Sequence, residues 1–426
     1  MPTTYVSSGH TLSGLTISGH HTLDVLSGGK TINMTVVSGG VEFIFSGGVA
    51  ISTTVDRRGF ETVSAGGVTR DSTLNGGGVE IISSGGTAKD TTTEGGTEVI
   101  SAGGVASDTT LIGGFEYVGG GVANHTTLLG GFEEVFSGGV VNGTRVFAGT
   151  EILGAGGVAS DTQVSSGASQ SVSSGGSAVS TTIEVGGFQF VSSGGSAVDT
   201  VLELGASQTV SAGGYVLSNI LTSGVEEKLS NGATATGTVI GFGAQGIVSH
   251  GGIAIGETVA SGGIEKVSAG GIASGTTVSR GGTQQVFSGG TATGSIVDGG
   301  GRLAVRAGGT LDNATISGGG TVILSAGAID TGSVTFVSHG DILEWGGSGL
   351  LGATLAGFAV GDTLDLTSLG YVSGGTATLS DLVLSVTEGG ATDKIAFASA
   401  NAGGTAWHLA SDGHSGTDVT LAASAT

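Results

Sequence analysis

Apolar and polar positions along this chain repeat on two scales. On the short scale, runs of Val, Ile, Leu and Thr, a few residues long, are closed by glycines, which is the pattern of short strands and tight turns. On the long scale the whole pattern returns. Taking the last glycine of each S-x-G-G-like turn as a landmark, Gly29, Gly48, Gly67, Gly86 and their successors as far as Gly309 stand 17 to 20 residues apart, most often 19. One unit reads Val105 to Gly114 as a longer arm and Phe115 to Gly121 as a shorter one. Regular self-similarity at this period is the mark of a solenoid.

The columns carry the fold. Four residues before most landmarks the residue is apolar, from Val63, Ile82, Ile100 and Val118 through to Val305. In the longer arm, apolar residues open and close a seven-residue stretch, as Val68 and Leu74 do, or Val105 and Leu111. Within that stretch runs a Ser/Thr column of Thr53, Ser72, Thr91, Thr109, Thr126, Thr144, Thr162, Thr181 and Thr200. A column that returns in every unit stacks on itself, at the spacing of about 4.8 Å between neighbouring strands. One coil cannot bury its own apolar side, but stacked coils bury a continuous one. The pattern predicts an all-β parallel β-helix of about 19-residue rungs over residues 1–340. Regularity fails after that, and 341–426 is expected to be an irregular C-terminal β cap or an export-related domain. The N-terminus enters the repeats almost at once, leaving a flush end on which another copy could stack.

Composition narrows the classes. The 426 residues include 90 glycines, one proline and no cysteine. That much glycine opposes helix, and 38% hydrophobic residues oppose disorder. Without cysteine there is neither a disulfide framework nor a thiolate metal site. Twelve basic against 34 acidic residues give a formal charge of −22, which excludes nucleic acid and anionic membrane surfaces as natural partners. Glycine interrupts every apolar run before membrane-spanning length, so no direct membrane insertion by a helix is expected. Met1 to Tyr5 lacks the basic and apolar regions of a signal peptide.

Units such as SAGGVASDTTLIGGFEYV (101–118) and SSGGSAVSTTIEVGGFQFVSSGG (173–195) resemble the passenger repeats of AIDA-type self-associating autotransporter adhesins. The resemblance covers roughly residues 25–325 and rests on the joint recurrence of glycine pairs, the Thr column and a Glu/Gln column. It implies a right-handed parallel β-helix, secreted or held at a bacterial cell surface, that drives cell aggregation, biofilm formation and adhesion. No membrane β-barrel translocator follows the repeats, and the tail around 361–371 and 412–421 looks more like the ends of repeat proteins exported by other routes.

The Glu/Gln column is the candidate site. Two residues before the apolar column stand Glu42, Glu61, Glu80, Glu98, Glu116, Glu133 and Glu151, followed by Gln170, Gln189 and Gln208. Seven carboxylates about 4.8 Å apart would repel one another. This favours a solvated face that keeps the molecule soluble, over a calcium-bridged metal stripe. Strict alternation would place Glu61 and Val63 on one face. A buried carboxylate row is too costly, so a bend or bulge between them is expected. Arg57, Arg58 and Arg70 are interaction candidates, able to meet the acidic column of a second copy. Stacked Ser/Thr hydroxyls are expected to satisfy each other along the repeats.

Catalysis needs a unique constellation, and a chain repeating one simple unit supplies none. No catalytic residue and no cofactor is assigned. The expected role is multivalent self-association, with host or matrix glycans and proteins as further partners. The alternatives are a head-to-tail stacking fibre subunit and, further off, a polysaccharide-active β-helix enzyme.

Overall fold

The structure, a computed structural model, describes residues 2–173, 175–399 and 404–423. Among these, every regular element is a β-strand. Backbone contacts divide the chain into two units, Met1–Thr209 with Gly213–Leu217, and Val210–Ala212 with Ser218–Thr426.

The first unit is a parallel β-solenoid with three strands per coil. One coil consists of Val49–Ile51, Thr54–Val55 and Phe60–Val63. Each strand pairs in parallel with its equivalent in the next coil, Val49 with Val68, Thr54 with Thr73 and Phe60 with Val79. The longer arm read from the sequence is therefore two strands and not one. It breaks at a single left-handed residue: Ser52, Asp71, Asp90 and Asp108 have φ of 56°, 56°, 58° and 61°. Short polar side chains tolerate that conformation best among non-glycine residues, which is why Asp and Ser recur there.

Inside, the middle residue of the first strand, the second residue of the second strand and the last residue of the third form the apolar core. In the same coil these are Ala50, Val55 and Val63, each 0% exposed. The two glycines of each turn act for different reasons. Gly47, at φ 74°, supplies the left-handed turn. The landmark Gly48 has no such φ. A Cβ there would stand 2.3 Å from the Val25 carbonyl oxygen of the coil below, so the close approach of two backbones excludes a side chain.

The second unit stacks in the same way. Thr234–Thr236, Val239–Ile240 and Gln245–Val248 pair in parallel with Ile253–Ile255, Thr258–Val259 and Ile264–Val267. Later coils merge their first two strands into one, as in Thr291–Asp298 and Thr310–Ser317. Parallel stacking runs past residue 340 through Ile342–Trp345 to Thr363–Leu366. Antiparallel pairs then take over, joining Val383–Glu388 to both Thr376–Ser380 and Ala391–Phe397, and Thr417–Ala423 to Gly404–Ser411. Phe336, Phe358, Phe397 and Trp407 pack together here, with ring centroids 5.1 to 6.1 Å apart. Among the described residues the glycine-rich coils bury no aromatic side chain, and this cluster gives the last coils a core of their own.

Candidate functional site: an internal carboxyl file and the outward faces

The third strand of each coil alternates without interruption. In Phe60–Val63, Glu61 and Val63 point inward while Phe60 and Thr62 point outward. There is no bulge, and the expected solvated face does not exist. Glu42, Glu61, Glu80, Glu98, Glu116, Glu133 and Glu151 are all 0% exposed. They lie in register, each paired with the next, and the file continues into Gln170 and Gln189. A surface stripe of metal ligands bridging neighbouring molecules is excluded by the same burial. No group of three or more metal-ligating side chains with suitable placement occurs among the described residues.

The reason the row can be buried is chemical. Desolvation raises the pKa of each carboxyl, to about 7 for Glu42 and Glu133 and about 8 for Glu98 and Glu151. Glu61 and Glu116 rise well above the usual carboxyl range, first by burial and then by the neighbouring Glu side chains. Once neutral, Glu has nearly the shape of Gln and can donate a hydrogen bond as Gln does. The glutamines show the geometry: Gln170 Nε2 donates to Glu151 at 2.5 Å, Gln189 to Gln170 at 2.6 Å and Gln208 to Gln189 at 2.5 Å.

The Ser/Thr column completes the file. Where its hydroxyls form hydrogen bonds, they do not stack on one another, as the sequence suggested, but donate across the interior to the Glu or Gln eleven residues earlier. Thr53 donates to Glu42, Thr91 to Glu80 and Thr162 to Glu151, each at 3.1 Å. Glu98, Glu116 and Glu133 have both oxygens, and Thr109, Thr126 and Thr144 their hydroxyls, without a well-formed hydrogen bond. That stretch is where protons shared between carboxyls are most needed.

One coil of the second unit inverts the arrangement. Gly246 stands where the file should carry an acid, between Glu227 and Glu265. Eleven residues on, Glu257 replaces the usual Thr, and a Cβ at Gly246 would meet its Oε2 at 3.6 Å. The carboxyl enters from the opposite wall and fills the same place. Burial, then Glu265 and Glu227, raise its pKa well above the usual value.

Arg57, Arg58 and Arg70 are exposed. Arg57 and Arg58 form the corner that leads into Phe60, and Arg58 holds φ 64°. Arg70 ends a different strand, in register with Lys89. The three arginines therefore do not form one patch, and the acidic column they were expected to meet is internal. The exposed acidic row is instead the corner column of Asp71, Asp90, Asp108, Asp161 and Asp199, all left-handed and all at the surface. Sequence reasoning missed it, although the recurring Ala-Ser-Asp-Thr segment was its signal.

The fold is a parallel β-solenoid that repeats one coil and one outward surface many times. A crystal structure of a TibC-catalysed, hyper-glycosylated TibA fragment is 34% identical to this chain, with a TM-score of 0.49, and the match covers 71% of this chain and 99% of that one. On that sequence identity the chain belongs to the AIDA-type autotransporter adhesin passengers. No protein-family model and no curated protein matches it.

Proposed function

We propose that this protein is an extracellular or cell-surface adhesive repeat protein that associates with copies of itself and so promotes cell aggregation or biofilm formation, without catalysing a reaction. The observation that carries the reading is the outward surface, which offers the same small features coil after coil. Weak contacts of this kind add up when many engage together. In this reading residues 341–426 serve as the C-terminal cap of the repeat domain of residues 1–340.

Arg57 with Arg58, and Arg70 separately, contribute by meeting exposed acidic side chains of a second copy, among them the corner aspartates. The test is sedimentation of the purified chain over a range of concentration and salt, together with clumping of beads coated with it. The wild type is expected to associate and clump. Arg57→Ala, Arg58→Ala and Arg70→Ala combined should weaken association several-fold at low salt and little at high salt, since exposed charges are screened. Association unchanged at low salt would remove the arginines from the contact. A wild type that neither associates nor clumps would remove self-association.

A further inference from the structure

The third strand of each coil has an outer face as well as the inner one, and that face differs from the rest of the surface. Seven consecutive strands, Val41–Ile44, Phe60–Val63, Val79–Ile82, the Thr97 to Ile100 segment, the Phe115 to Val118 segment, the Phe132 to Val135 segment and Thr150–Leu153, stack in parallel register. Their first and third residues point outward, and the only charged one is Glu134. Large apolar side chains stand in the open: Phe60 is 38% exposed, Phe115 40% and Phe132 44%. The rings are ordered against one another. Phe115 lies 5.8 Å from Tyr117 at an interplanar angle of 5°, and 5.7 Å from Phe132 at 14°. By contrast, the outward positions of the first strands include Arg70 and Lys89, and those of the second strands include Glu94 and Arg145.

We propose that this aromatic face is the surface through which one molecule binds a second copy of itself. The inference rests on the self-association reading and names an apolar contact beside the charged one that the arginines make. Three observations select a second copy as the occupant. The chain is strongly acidic, so two copies repel each other over most of their surface and least where the face is uncharged. The face is ribbed at the strand spacing of about 4.8 Å, and a surface with the same period matches those ribs along its whole length. A two-fold axis lets the same patch serve on both molecules. The area also fits. Seven strands at about 4.8 Å, each about 13 Å across, give roughly 450 Å², below the roughly 800 Å² per partner of a stable complex. Single pairs are therefore weak and dissociate in dilute solution, whereas arrays of molecules on facing surfaces hold.

The test compares two variants of equal charge by sedimentation equilibrium of the full chain. Phe115→Glu with Phe132→Glu places the charges on the aromatic face. Thr258→Glu with Thr277→Glu places them at outward positions of second strands in the second unit, away from both the face and the Asp corner. The proposal expects the first pair to raise the dissociation constant at least about tenfold, and the second pair to change it less than about twofold. Phe115→Thr with Phe132→Thr keeps strand-forming residues and adds no charge. It should weaken association in the same direction, which guards against a misfolded charged variant; far-ultraviolet circular dichroism and melting confirm the fold of each. If the wild type associates and the face variants match it, or both glutamate pairs weaken it equally, the face is not the contact and self-association stands. If the wild type is monomeric up to roughly 1 mM, both readings fall.

Discussion

A carboxyl group inside an apolar coil is tolerable when neutral and costly when ionised. Glu98 and Glu116 are the sharpest cases, with all four oxygens lacking a well-formed hydrogen bond. Their folded pKa values lie above the unfolded value, to about 8 for Glu98. Between the unfolded value of 4.5 and the folded value, the native state holds a proton that the unfolded chain has released. Stability is therefore full below about pH 4.5, falls as pH rises, and is lost above the folded pKa. Thermal melting should show the highest midpoint near pH 5 and a steady decline to pH 9. Glu98→Gln and Glu116→Gln should flatten that decline, gaining at least about 1 kcal/mol each at pH 8 while changing little at pH 5. A midpoint that rises from pH 5 to pH 8 would show that these groups are ionised in the fold.

The same residues show what the sequence made legible. The column itself, its register and its period were plain. Its orientation is not legible in the Glu letters alone, because Glu is charged in water and a charged row belongs outside. The corrective signal was present in the column: Gln170, Gln189 and Gln208 occupy it as equivalents, which a neutral acid matches and a carboxylate does not. The Ser or Thr ten or eleven residues after each acid of the first unit is a second signal, and Glu257 opposite Gly246 a third. Protonation state is set by tertiary burial, and no residue letter records it.

At the scale of strands and turns, the repeat depends on how closely successive coils approach. Two glycines in one turn predict two different outcomes. Gly48→Ala drives a methyl group against the Val25 carbonyl and should cost at least about 2 kcal/mol, since neither backbone can move away without unpairing a strand. Gly47→Asn keeps a residue that accepts positive φ, and its Cβ, 2.8 Å from the Ser27 hydroxyl, is relieved by rotation of that hydroxyl, so it should cost less than Gly48→Ala. Denaturant titration of the two variants ranks them; equal costs would mean the coils have slack that the structure does not show. The three-strand coil was only half legible for a related reason. A single left-handed Asp turns the chain without glycine or proline, so the longer arm read as one strand. The C-terminal strands read as β-structure, yet their antiparallel pairing depends on contacts such as Phe358 with Phe397 and Trp407, far apart in sequence.

At the scale of the whole molecule, the buried acids change the charge that partners meet. Ten glutamates, Glu42 through Glu151 in the first unit and Glu227, Glu257 and Glu265 in the second, are buried with raised pKa values. With all ten neutral, the formal charge of −22 becomes −12. A potentiometric titration of the native chain against the same chain in denaturant tests this directly. Near pH 6 the native form should hold roughly nine more protons than the unfolded form, one for each glutamate whose pKa rises to about 7 or further, and the difference should vanish below the ordinary carboxyl range. A difference of one or two protons would mean that the file is ionised and compensated in some other way. The result bears on function because charge repulsion and core ionisation act in the same direction. Raising the pH from 6 to 9 charges the interior, loosens the coils that hold the aromatic face flat, and increases repulsion between copies. Self-association should therefore weaken with rising pH more steeply than exposed carboxylates alone would allow, since those are already ionised at pH 6. A variant carrying Gln at Glu98 and Glu116 should retain more of its association at pH 9 than the wild type.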